Sequence, residues 1–354
     1  MSKVSKTTGA SWGNGRRASP LVVLCTMLSL AMIQLGAPEH VGADNADGET
    51  TTVELPWKDL ASSNIVLFDS KNHSVEKVEG ASKTITLKSG WLIAIENGFD
   101  IGDDNLSVLA HMPRLGRIDL SGNKKVSVQG VAALKDCGDL SEIDLSGTGV
   151  QDDWMPTIAK LEPLSSLTIR SRTGHITTDG IQELIALPNL EKLDLSGNRL
   201  LGNPAAEAVA RISTLRNLSL QEWGLDDKGI ARLASLPNLE VLNADGCERI
   251  TSKGVQSIAK MSNLVSLSLW KVLVDDASVK ALCSLHHLKA LALSDDGEVA
   301  NASVLKLAEL TSLESLNLGL RNTSASLCGK LSGLPNLREI TFQSNCTLTL
   351  DGLK

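Results

Sequence analysis

A repeat of about 25 residues runs through most of this chain. Its opening pattern, Leu-x-x-Leu-x-Leu, begins ten times between Leu115 and Leu337, at nearly equal spacing. A degenerate unit precedes them, because Trp91–Ile95 and then Leu106–Leu109 follow the same order of strand and helix. One such unit buries its apolar face only against its neighbours, so the period overrides chain length as a guide to domain count. We therefore predict one elongated domain over residues 91–354.

Each unit combines a short strand, a turn and a short helix. The stretch Leu190–Leu195 alternates apolar and polar residues, which indicates a half-buried strand, and the following Ser196–Asn198 is a typical turn sequence. Apolar residues at helical spacing follow in each unit, and Thr177 is a typical residue to cap such a helix. Stacked units predict a curved α/β solenoid with parallel strands on its concave face and short helices on its convex face.

These repeats resemble the leucine-rich-repeat superfamily over residues 91–354. The helix entries Ile176–Ile181 and Ile250–Val255, with the pattern Ile-Thr-x-x-Gly-Val/Ile, are most similar to its cysteine-containing, ribonuclease-inhibitor-like branch. The resemblance is specific for fold and says little about function. It implies a buried ladder of Asn or Cys side chains bonded to the turn backbone, at positions filled here by Asn123, Thr148, Asn198, Cys247 and Asn345. Interruptions of that ladder are expected at Arg172, Trp223, Val272, Asp296 and Arg321.

The first 43 residues read as an export signal. A basic stretch precedes an apolar run from Leu21 to about Leu35, and small residues at 41–43 suit cleavage before Asp44. The alternative is an uncleaved anchor, because the run is only slightly shorter than the roughly 17 to 25 apolar residues that span a bilayer. We expect a secreted or cell-surface protein that contacts a membrane only if this segment is retained.

Residues 44–90 lack the repeat and are predicted to be an N-terminal capping region. Two alternating stretches within it, 75–78 and 84–87, are candidates to pair as strands over the first unit. At the other end, residues 348–354 align with the helix entry 250–256, so the last repeat is expected to be cut off within its first helical turn.

No motif for catalysis, a cofactor or a metal stands out. The Gly-containing turns recur where the solenoid bends, and no nucleophile elbow, zinc-protease helix, Walker loop or Rossmann pattern is present. The five cysteines after the signal segment are scattered, and Cys137, Cys247, Cys283 and Cys328 fall on repeat positions that should be buried, where Cys behaves as a small apolar residue. We predict no enzyme activity, no cofactor and no metal.

The net charge of −7 becomes −10 without residues 1–43, with 30 basic against 40 acidic residues. A negative protein disfavours nucleic acid and anionic membranes as partners, since both reward a clustered positive surface. The prediction is therefore a protein or peptide ligand, with no nucleic acid partner.

The third, fifth and seventh residues of each repeat point to the concave face. The fifth-position column is acidic early, at Asp119, Asp144 and Asp194, which indicates either a basic ligand or only a common repeat spelling. In the seventh column Trp270 stands out, because Trp is over-represented among binding hot spots. We predict a compact ligand site at Gln221, Glu222, Asp245, Trp270 and Lys271. The alternative is that Trp270 lies flat on neighbouring strands and binds nothing.

The sequence favours a non-catalytic binding protein. One alternative is an intracellular regulatory or adaptor protein, similar to ubiquitin-ligase substrate receptors or adenylate cyclase regulators, which requires that residues 20–37 are not an export signal. A second alternative is an enzyme whose catalytic domain lies beyond Lys354.

Overall fold

The computed structural model describes residues 50–54, 65–69, 74–77, 84–96, 101–172, 175–294, 299–319, 329–331 and 333–342. Several sequence predictions lie outside these residues: the segment 1–43, Cys328, the ladder positions Asp296, Arg321 and Asn345, and the helix entry 348–354.

One long sheet forms one side of the molecule. Its strands lie in the order β15 to β5, followed by β2 and β3, and all neighbours from β5 to β15 are parallel. The parallel strands are β5 Leu92–Ile95, β6 Leu115–Asp119, β7 Glu142–Asp144, β8 Ser166–Thr168, β9 Lys192–Asp194, β10 Asn217–Ser219, β11 Val241–Asn243, β12 Ser266–Leu269, β13 Ala290–Ser294, β14 Ser315–Gly319 and β15 Glu339–Phe342. Each of β6 to β15 begins within a predicted Leu-x-x-Leu-x-Leu segment, so the solenoid architecture is confirmed.

Short helices follow most of these strands, as the 3.6-residue spacing of apolar residues predicts. They are α1 Asp103–Leu109, α2 Val128–Ala133, α3 Met155–Ile158, α4 Thr178–Glu183, α5 Asn203–Val209, α6 Asp227–Leu233, α7 Ser252–Ile258, α8 Asp276–Leu282 and α9 Asn301–Val304. Among these residues, no helix has both the length and the apolar character needed to cross a membrane.

The core lies between the sheet and the helices. The fourth residue of each Leu-x-x-Leu-x-Leu segment pairs in register with its counterpart in the next repeat, as Leu218 does with Leu193 and Leu242. All three are almost completely buried. Burying one such leucine contributes about 1.5–3 kcal/mol relative to leaving it exposed, and here every repeat supplies several.

The described residues of the capping region form four strands, but these do not pair as predicted. Strands β1 (Thr50–Glu54) and β4 (Thr84–Lys88) form a separate two-stranded antiparallel sheet. The other predicted stretch overlaps β3 (Ser74–Lys77), which pairs instead with β2 (Ile65–Phe68), and β2 extends the main sheet beside β5. The sequence showed where two strands form but not their partners, because pairing depends on β1 and β2, which carry no repeat. Buried residues of β1, β2 and β4 join the solenoid core.

A row of polar contacts joins the helix N-termini of successive repeats. Asp152 accepts hydrogen bonds from Thr177 of the next repeat, 2.8 Å from the backbone N and 2.6 Å from Oγ1. Asp103 contacts Ser127, and Asp276 contacts the backbone N of Ala300, in the same way. A Cβ on Gly180 would lie 2.3 Å from an oxygen of Asp152, which explains the glycine of the Ile-Thr-x-x-Gly entry. These contacts link the helix starts of several neighbouring repeats.

Candidate ligand-binding surface

The sheet face opposite the helices, formed by the third, fifth and seventh residues of each repeat, is called the concave face below. Its two halves differ in charge. Six of the eight third- and fifth-position residues on β6 to β9 are charged: Arg117, Asp119, Glu142, Asp144, Lys192 and Asp194. The ten equivalent residues on β10 to β14 carry no charge, and all are buried: Asn217, Ser219, Val241, Asn243, Ser266, Ser268, Ala290, Ala292, Ser315 and Asn317.

The acidic fifth-position column of the charged half has a structural role. Oδ1 of Asp119 accepts a 2.8 Å hydrogen bond from the backbone N of Ser121, two residues further on. Asp144 and Asp194 make the same contact with the residues two positions after them, at 2.7 and 2.9 Å. A side chain that bonds the backbone two residues on stabilises the turn after the strand. The recurring Asp therefore has a local cause, and a basic ligand for this column stays a prediction.

Arg170, at the seventh position of its repeat, supplies positive charge beside this acidic column. Its Nε lies 2.7 Å from Oδ2 of Asp194, and its side chain is 43% exposed. Burial raises the pKa of Asp144, and the nearby Asp119 adds to the rise, whereas hydrogen bonds from Ser146 and the charge of Arg170 act against it. The charged half thus partly neutralises itself.

Asp245, a predicted site residue, is a buried carboxylate between two strands of the concave face. It is only 7% exposed, and Oδ1 accepts hydrogen bonds from Ser268 Oγ at 2.6 Å and from the backbone N of Trp270 at 2.7 Å. Burial raises the pKa of Asp245 to about 6, although these two hydrogen bonds and the charge of Lys271 act to lower it. Asp245 therefore anchors the start of the turn at Trp270. Because the carboxyl group is buried, its ionised form is unfavourable in the folded protein.

Trp270 is partly exposed at the end of strand β12, and its ring extends over the neighbouring strands. A Cβ on Gly319 would lie 2.3 Å from Cη2 of Trp270. Gly319 is on β14, so the indole crosses β13, where Ser294 occupies the equivalent position and is buried. The small side chains at these two positions make room for the ring. This agrees with the expectation that Trp270 lies on neighbouring strands, and whether it also binds a ligand stays a prediction.

Glu222 and Lys271 lie in the turns beside the face, each with a positive φ, of 60° and 58°. Equivalent turn positions in other repeats hold glycine, such as Gly197 and Gly246, also with positive φ. The carboxylate of Glu222 contacts Arg199 at 2.5 Å, and Lys271 is exposed. Their part in ligand binding stays a prediction.

The remaining predicted site residue, Gln221, directly follows β10 and is partly buried. Its carbonyl oxygen accepts a 2.7 Å hydrogen bond from the backbone N of Gly197 in the preceding repeat. The structure therefore places Gln221, Asp245 and Trp270 at the ends of three neighbouring strands, as predicted from the seventh-position column.

The expected interruption of the buried ladder at Trp223 is wrong. Trp223 is 2% exposed, and its Nε1 donates a 2.9 Å hydrogen bond to the carbonyl oxygen of Leu195. Asn198 Nδ2 donates to the same oxygen at 2.8 Å. Cys247 Sγ likewise contacts the carbonyl oxygen of Leu220 in the preceding repeat. An indole N–H replaces the amide because it is also a buried donor. Val272, by contrast, is fully buried, and its side chain has no hydrogen-bond donor.

The described cysteines are buried thiols. Burial raises the pKa of Cys137 and of Cys283 to about 11 and that of Cys247 to about 12. A thiol is reactive as the thiolate, so these side chains act as small apolar residues. In the part of the chain that the structure describes, no group of three or more His, Cys, Asp or Glu side chains is arranged to hold a metal ion.

Asn317 is a concave-face residue that the sequence did not single out. It is 8% exposed, and no described group donates to its Oδ1. Asn243, at the equivalent position, accepts from the backbone N of Asp245 at 2.9 Å because β11 ends at Asn243 and a turn follows. Strand β14 continues through Gly319, so the same turn does not form at this point. In the sequence, this difference is marked by Gly319, the glycine at the seventh position of the same repeat.

Comparison with known families bears on these repeats. The family model described as Leucine Rich Repeat matches residues 189–207, which include β9 and its turn. The same strand, turn and helix recur along the described sheet. The chain has the leucine-rich-repeat fold. Whether it belongs to the ribonuclease-inhibitor-like branch stays a prediction.

Solved structures with leucine-rich repeats are among those similar to this leucine-rich-repeat protein. An internalin (inlF) from Listeria monocytogenes is 19% identical, with a TM-score of 0.47, over 77% of this chain and 87% of that one. Internalin C2 (inlC2) from the same organism is 21% identical, with a TM-score of 0.37, over 69% and 84%. A complex of TLR13 with ssRNA13 is 18% identical, with a TM-score of 0.47, over 67% and 37%.

One curated relative matches a shorter part of the leucine-rich-repeat protein. It is a Caenorhabditis elegans protein, EEED8.10, named as a candidate RNA-binding protein. The two are 27% identical over 120 residues, which is 32% of this chain. The match spans only 16% of the relative's length. The prediction that nucleic acid is not a partner gains no support from these similarities.

Proposed function

We propose that this leucine-rich-repeat protein is a non-catalytic binding protein that recognises a protein or peptide ligand on its concave face. The observation that carries the proposal is the partly exposed indole of Trp270, held on that face by Asp245 and Gly319. A large amphipathic ring on a rigid sheet gives contact area without ordering a mobile loop. Gln221, Glu222, Asp245 and Lys271 lie at the ends of its own strand and of the two preceding strands, and they would orient the partner.

The test measures the affinity of a captured ligand for concave-face variants. Trp270→Ala should weaken binding by about 2 kcal/mol or more, roughly thirtyfold, if the indole is a hot spot. Val108→Ala is the control, because Val108 is 45% exposed on helix α1, away from the sheet. Equal affinities for the wild type, Trp270→Ala and Gln221→Ala would exclude this placement of the site.

We further propose that the protein acts in the secreted or cell-surface space. The support is the order of basic, apolar and small residues in the segment 1–43, which is typical of export signals. The intact mass of exported protein should correspond to a chain that begins at or near Asp44. Retention of residues 1–43 in a membrane fraction would indicate an anchor, and absence of export would favour the intracellular regulatory or adaptor alternative.

Nucleic acid is the alternative partner, because the curated relative is named as a candidate RNA-binding protein. Against it stands the net charge of −7, since binding to phosphates rewards clustered basic residues. Titration of the protein with a single-stranded RNA of mixed sequence distinguishes the two. Tight binding that weakens steeply as salt rises would support nucleic acid over polypeptide.

A further inference from the structure

An open cavity of about 300 Å³ lies where two neighbouring units lead from their helices back to the sheet. One wall is the turn between α1 and β6, and the other is the turn before β7. Three buried residues form its floor: Met112, Leu115 and Cys137. Three exposed residues stand at its mouth: His111, Asp136 and Asp139. Sites for small molecules enclose about 300–1,000 Å³, so this space, called the Cys137 cavity below, is large enough for a small ligand.

Part of this space is open because Cys137 is smaller than its counterparts in other repeats. Leu161, Leu187 and Leu236 hold the aligned position in later repeats, and each is buried there. The next residue, Gly138, adds no side chain, and no atom lies within 4 Å of the place where its Cβ would be. A thiol and a glycine therefore stand where other repeats have a leucine and a larger residue.

Asp139 removes a contact that draws the equivalent turns of other repeats together. In four repeats an asparagine at this position donates from Nδ2 to a carbonyl oxygen of the preceding repeat, at 2.7 to 3.0 Å: Asn189, Asn238, Asn263 and Asn336. An ionised carboxylate has no donor, so Asp139 cannot form this bond. It lies instead 4.0 Å from Arg114, whose φ of 63° departs from that of the aligned residues. The turn of Asp139 is thus not tied to the turn before it.

The mouth of the cavity offers hydrogen-bond acceptors and negative charge. The side chain of Asp139 is 44% exposed, and Asp136 is exposed as well. Burial raises the pKa of Cys137 to about 11, and the charges of Asp136 and Asp139 add to the rise, so both carboxylates act on the cavity floor. Nδ1 of His111 lies 2.9 Å from the carbonyl oxygen of Ser107, which leaves Nε2 as an acceptor in the neutral ring.

An apolar floor below an acidic mouth suits a ligand with a hydrocarbon part and one positive charge. Asp136 and Asp139 would repel an anion, and a neutral molecule would gain no attraction from their charges. An ammonium group has donors only, which match acceptors only. Among the described residues, no group of three or more His, Cys, Asp or Glu side chains is arranged to hold a metal ion, so the geometry favours an organic cation.

We propose that the Cys137 cavity binds an aliphatic amine, whose hydrocarbon part packs on Met112 and Cys137 and whose ammonium group lies between Asp136 and Asp139. The amine is a free molecule or the lysine side chain of another polypeptide, since both present the same chemistry. The cavity lies at the other end of the strands from the turn of Trp270, so this inference does not depend on the proposed function.

The experiment titrates the whole protein with n-butylamine and follows the backbone amide resonances around Gly138 by NMR. The shifts should saturate, and n-butanol, which lacks the charge, should bind at least tenfold more weakly. Asp136→Asn and Asp139→Asn should each raise the dissociation constant of n-butylamine at least threefold. The control, Asp179→Asn, removes an exposed carboxylate from a later repeat and should leave it within 1.5-fold.

Two further variants close the cavity. Cys137→Leu restores the residue of other repeats and should abolish saturable binding. Gly138→Val places a side chain at the mouth, outside the core, and should weaken binding at least tenfold. Thermal melts establish that each variant is folded, and Gly138→Val keeps the test decisive if Cys137→Leu does not fold.

A capped tripeptide with a central lysine distinguishes the two sources of the amine. Binding at least tenfold tighter than that of n-butylamine would assign the cavity to a lysine side chain, and the reverse would assign it to a free amine. Similar affinities would show that the alkylammonium group alone is recognised.

Three results would overturn the inference: no saturable binding of either amine, equal binding of n-butylamine and n-butanol, or binding that survives both Cys137→Leu and Gly138→Val. None of them bears on the affinity of a concave-face ligand for Trp270→Ala, so the proposed function is tested separately.

Discussion

Asp227 occupies the space above Gly254 of the next repeat. Its Oδ1 accepts a 2.9 Å hydrogen bond from the backbone N of Gly254, and a Cβ on that glycine would lie 2.6 Å from the same oxygen. Asp227 also accepts hydrogen bonds from Thr251, at 2.7 Å from the backbone N and 2.6 Å from Oγ1. One carboxylate therefore links two repeats and requires a residue without a side chain beneath it.

Gly254→Ala should lower the free energy of unfolding by about 1–3 kcal/mol, the usual cost of overpacking. Helix propensity alone predicts the opposite sign, because Ala is about 1 kcal/mol better than Gly within a helix. Chemical denaturation of the two proteins measures the difference.

The matched control for this substitution is Gly138→Ala, since no atom lies within 4 Å of a Cβ at Gly138. It should change stability by no more than about 0.5 kcal/mol. Gly254→Ala should also cost less when Asp227 is already Ala, because the clash with the oxygen is then gone and only the contact with Ile250 Cγ2, also at 2.6 Å, remains close. Equal costs in the two backgrounds would show that Asp227 does not cause the glycine requirement.

The repeating framework could be predicted because the same pattern of apolar and polar residues recurs in each repeat. Alternation in segments such as Leu190–Leu195 fixes the strand faces, and the structure confirms them. Contacts between repeats were harder to see, since Asp227 and Gly254 lie in different repeats and each looks ordinary in its own helix. The pairing of β3 with β2 and of β4 with β1 was missed because nothing in the capping region repeats.

Lys271→Gly should raise the free energy of unfolding by about 1 kcal/mol. A residue with a Cβ is strained at the φ of 58° that this turn requires, by about 1–2 kcal/mol, and glycine is not. Lys271→Ala is the control, because it removes the charge but keeps the Cβ, and it should give no such gain. Equal thermal melts for the Gly and Ala variants would contradict the expectation.

An alignment of the repeats with one another indicates this backbone strain. Glu222 and Lys271 stand in the column that holds Gly197 and Gly246. The charges of these two residues beside Trp270 do not reveal the backbone conformation that their turn imposes. For Trp270, the seventh column showed a bulky side chain but not its direction, which depends on Gly319, two repeats further along the chain.

Asp245→Asn should stabilise the protein at pH 8 and have little effect near pH 3. The pKa of Asp245 is about 6 in the folded protein and about 3.8 when unfolded, so the folded state binds the proton more tightly. The stability of the wild type therefore falls as pH rises from about 4 to 6, and an uncharged Asn avoids this loss. The gain at pH 8 should be about 2–3 kcal/mol. Thermal melts across this pH range measure it.

Asp226 provides the control with the opposite sign. Hydrogen bonds from Asn203, at 2.7 Å, and from the backbone N of Lys228, at 2.8 Å, lower the pKa of its carboxyl group. Its contribution to stability is present above the unfolded value of 3.8 and is lost as pH falls through the folded value. Asp226→Asn should therefore destabilise the protein at pH 8, with a difference that shrinks in acid. The same pH trend in both variants would contradict the two assignments.

Trp223→Phe should cost about 1 kcal/mol more than Trp154→Phe. Both indoles are buried, but only Trp223 donates a ladder hydrogen bond, to Leu195. The cost is modest because Asn198 still donates to that carbonyl oxygen, so it is not left without a partner. Denaturant titration of the two variants measures this difference. Equal losses of unfolding free energy would show that Trp223 stabilises the protein only through its packing.

Gly319→Ala should move the indole of Trp270. The new Cβ would lie 2.3 Å from Cη2, closer than any tolerated contact, so the ring must rotate away from strand β14. Because the ring is partly exposed, it has room to move, and the loss of stability should stay below about 1–2 kcal/mol. The side-chain N–H resonance of Trp270 in a two-dimensional NMR spectrum, assigned by its loss in Trp270→Ala, should shift. In the Trp270→Ala background, Gly319→Ala should have no further effect on the thermal melt, since the space above Gly319 is then empty. A penalty that persists there would mean that the glycine serves the backbone of β14 rather than the indole.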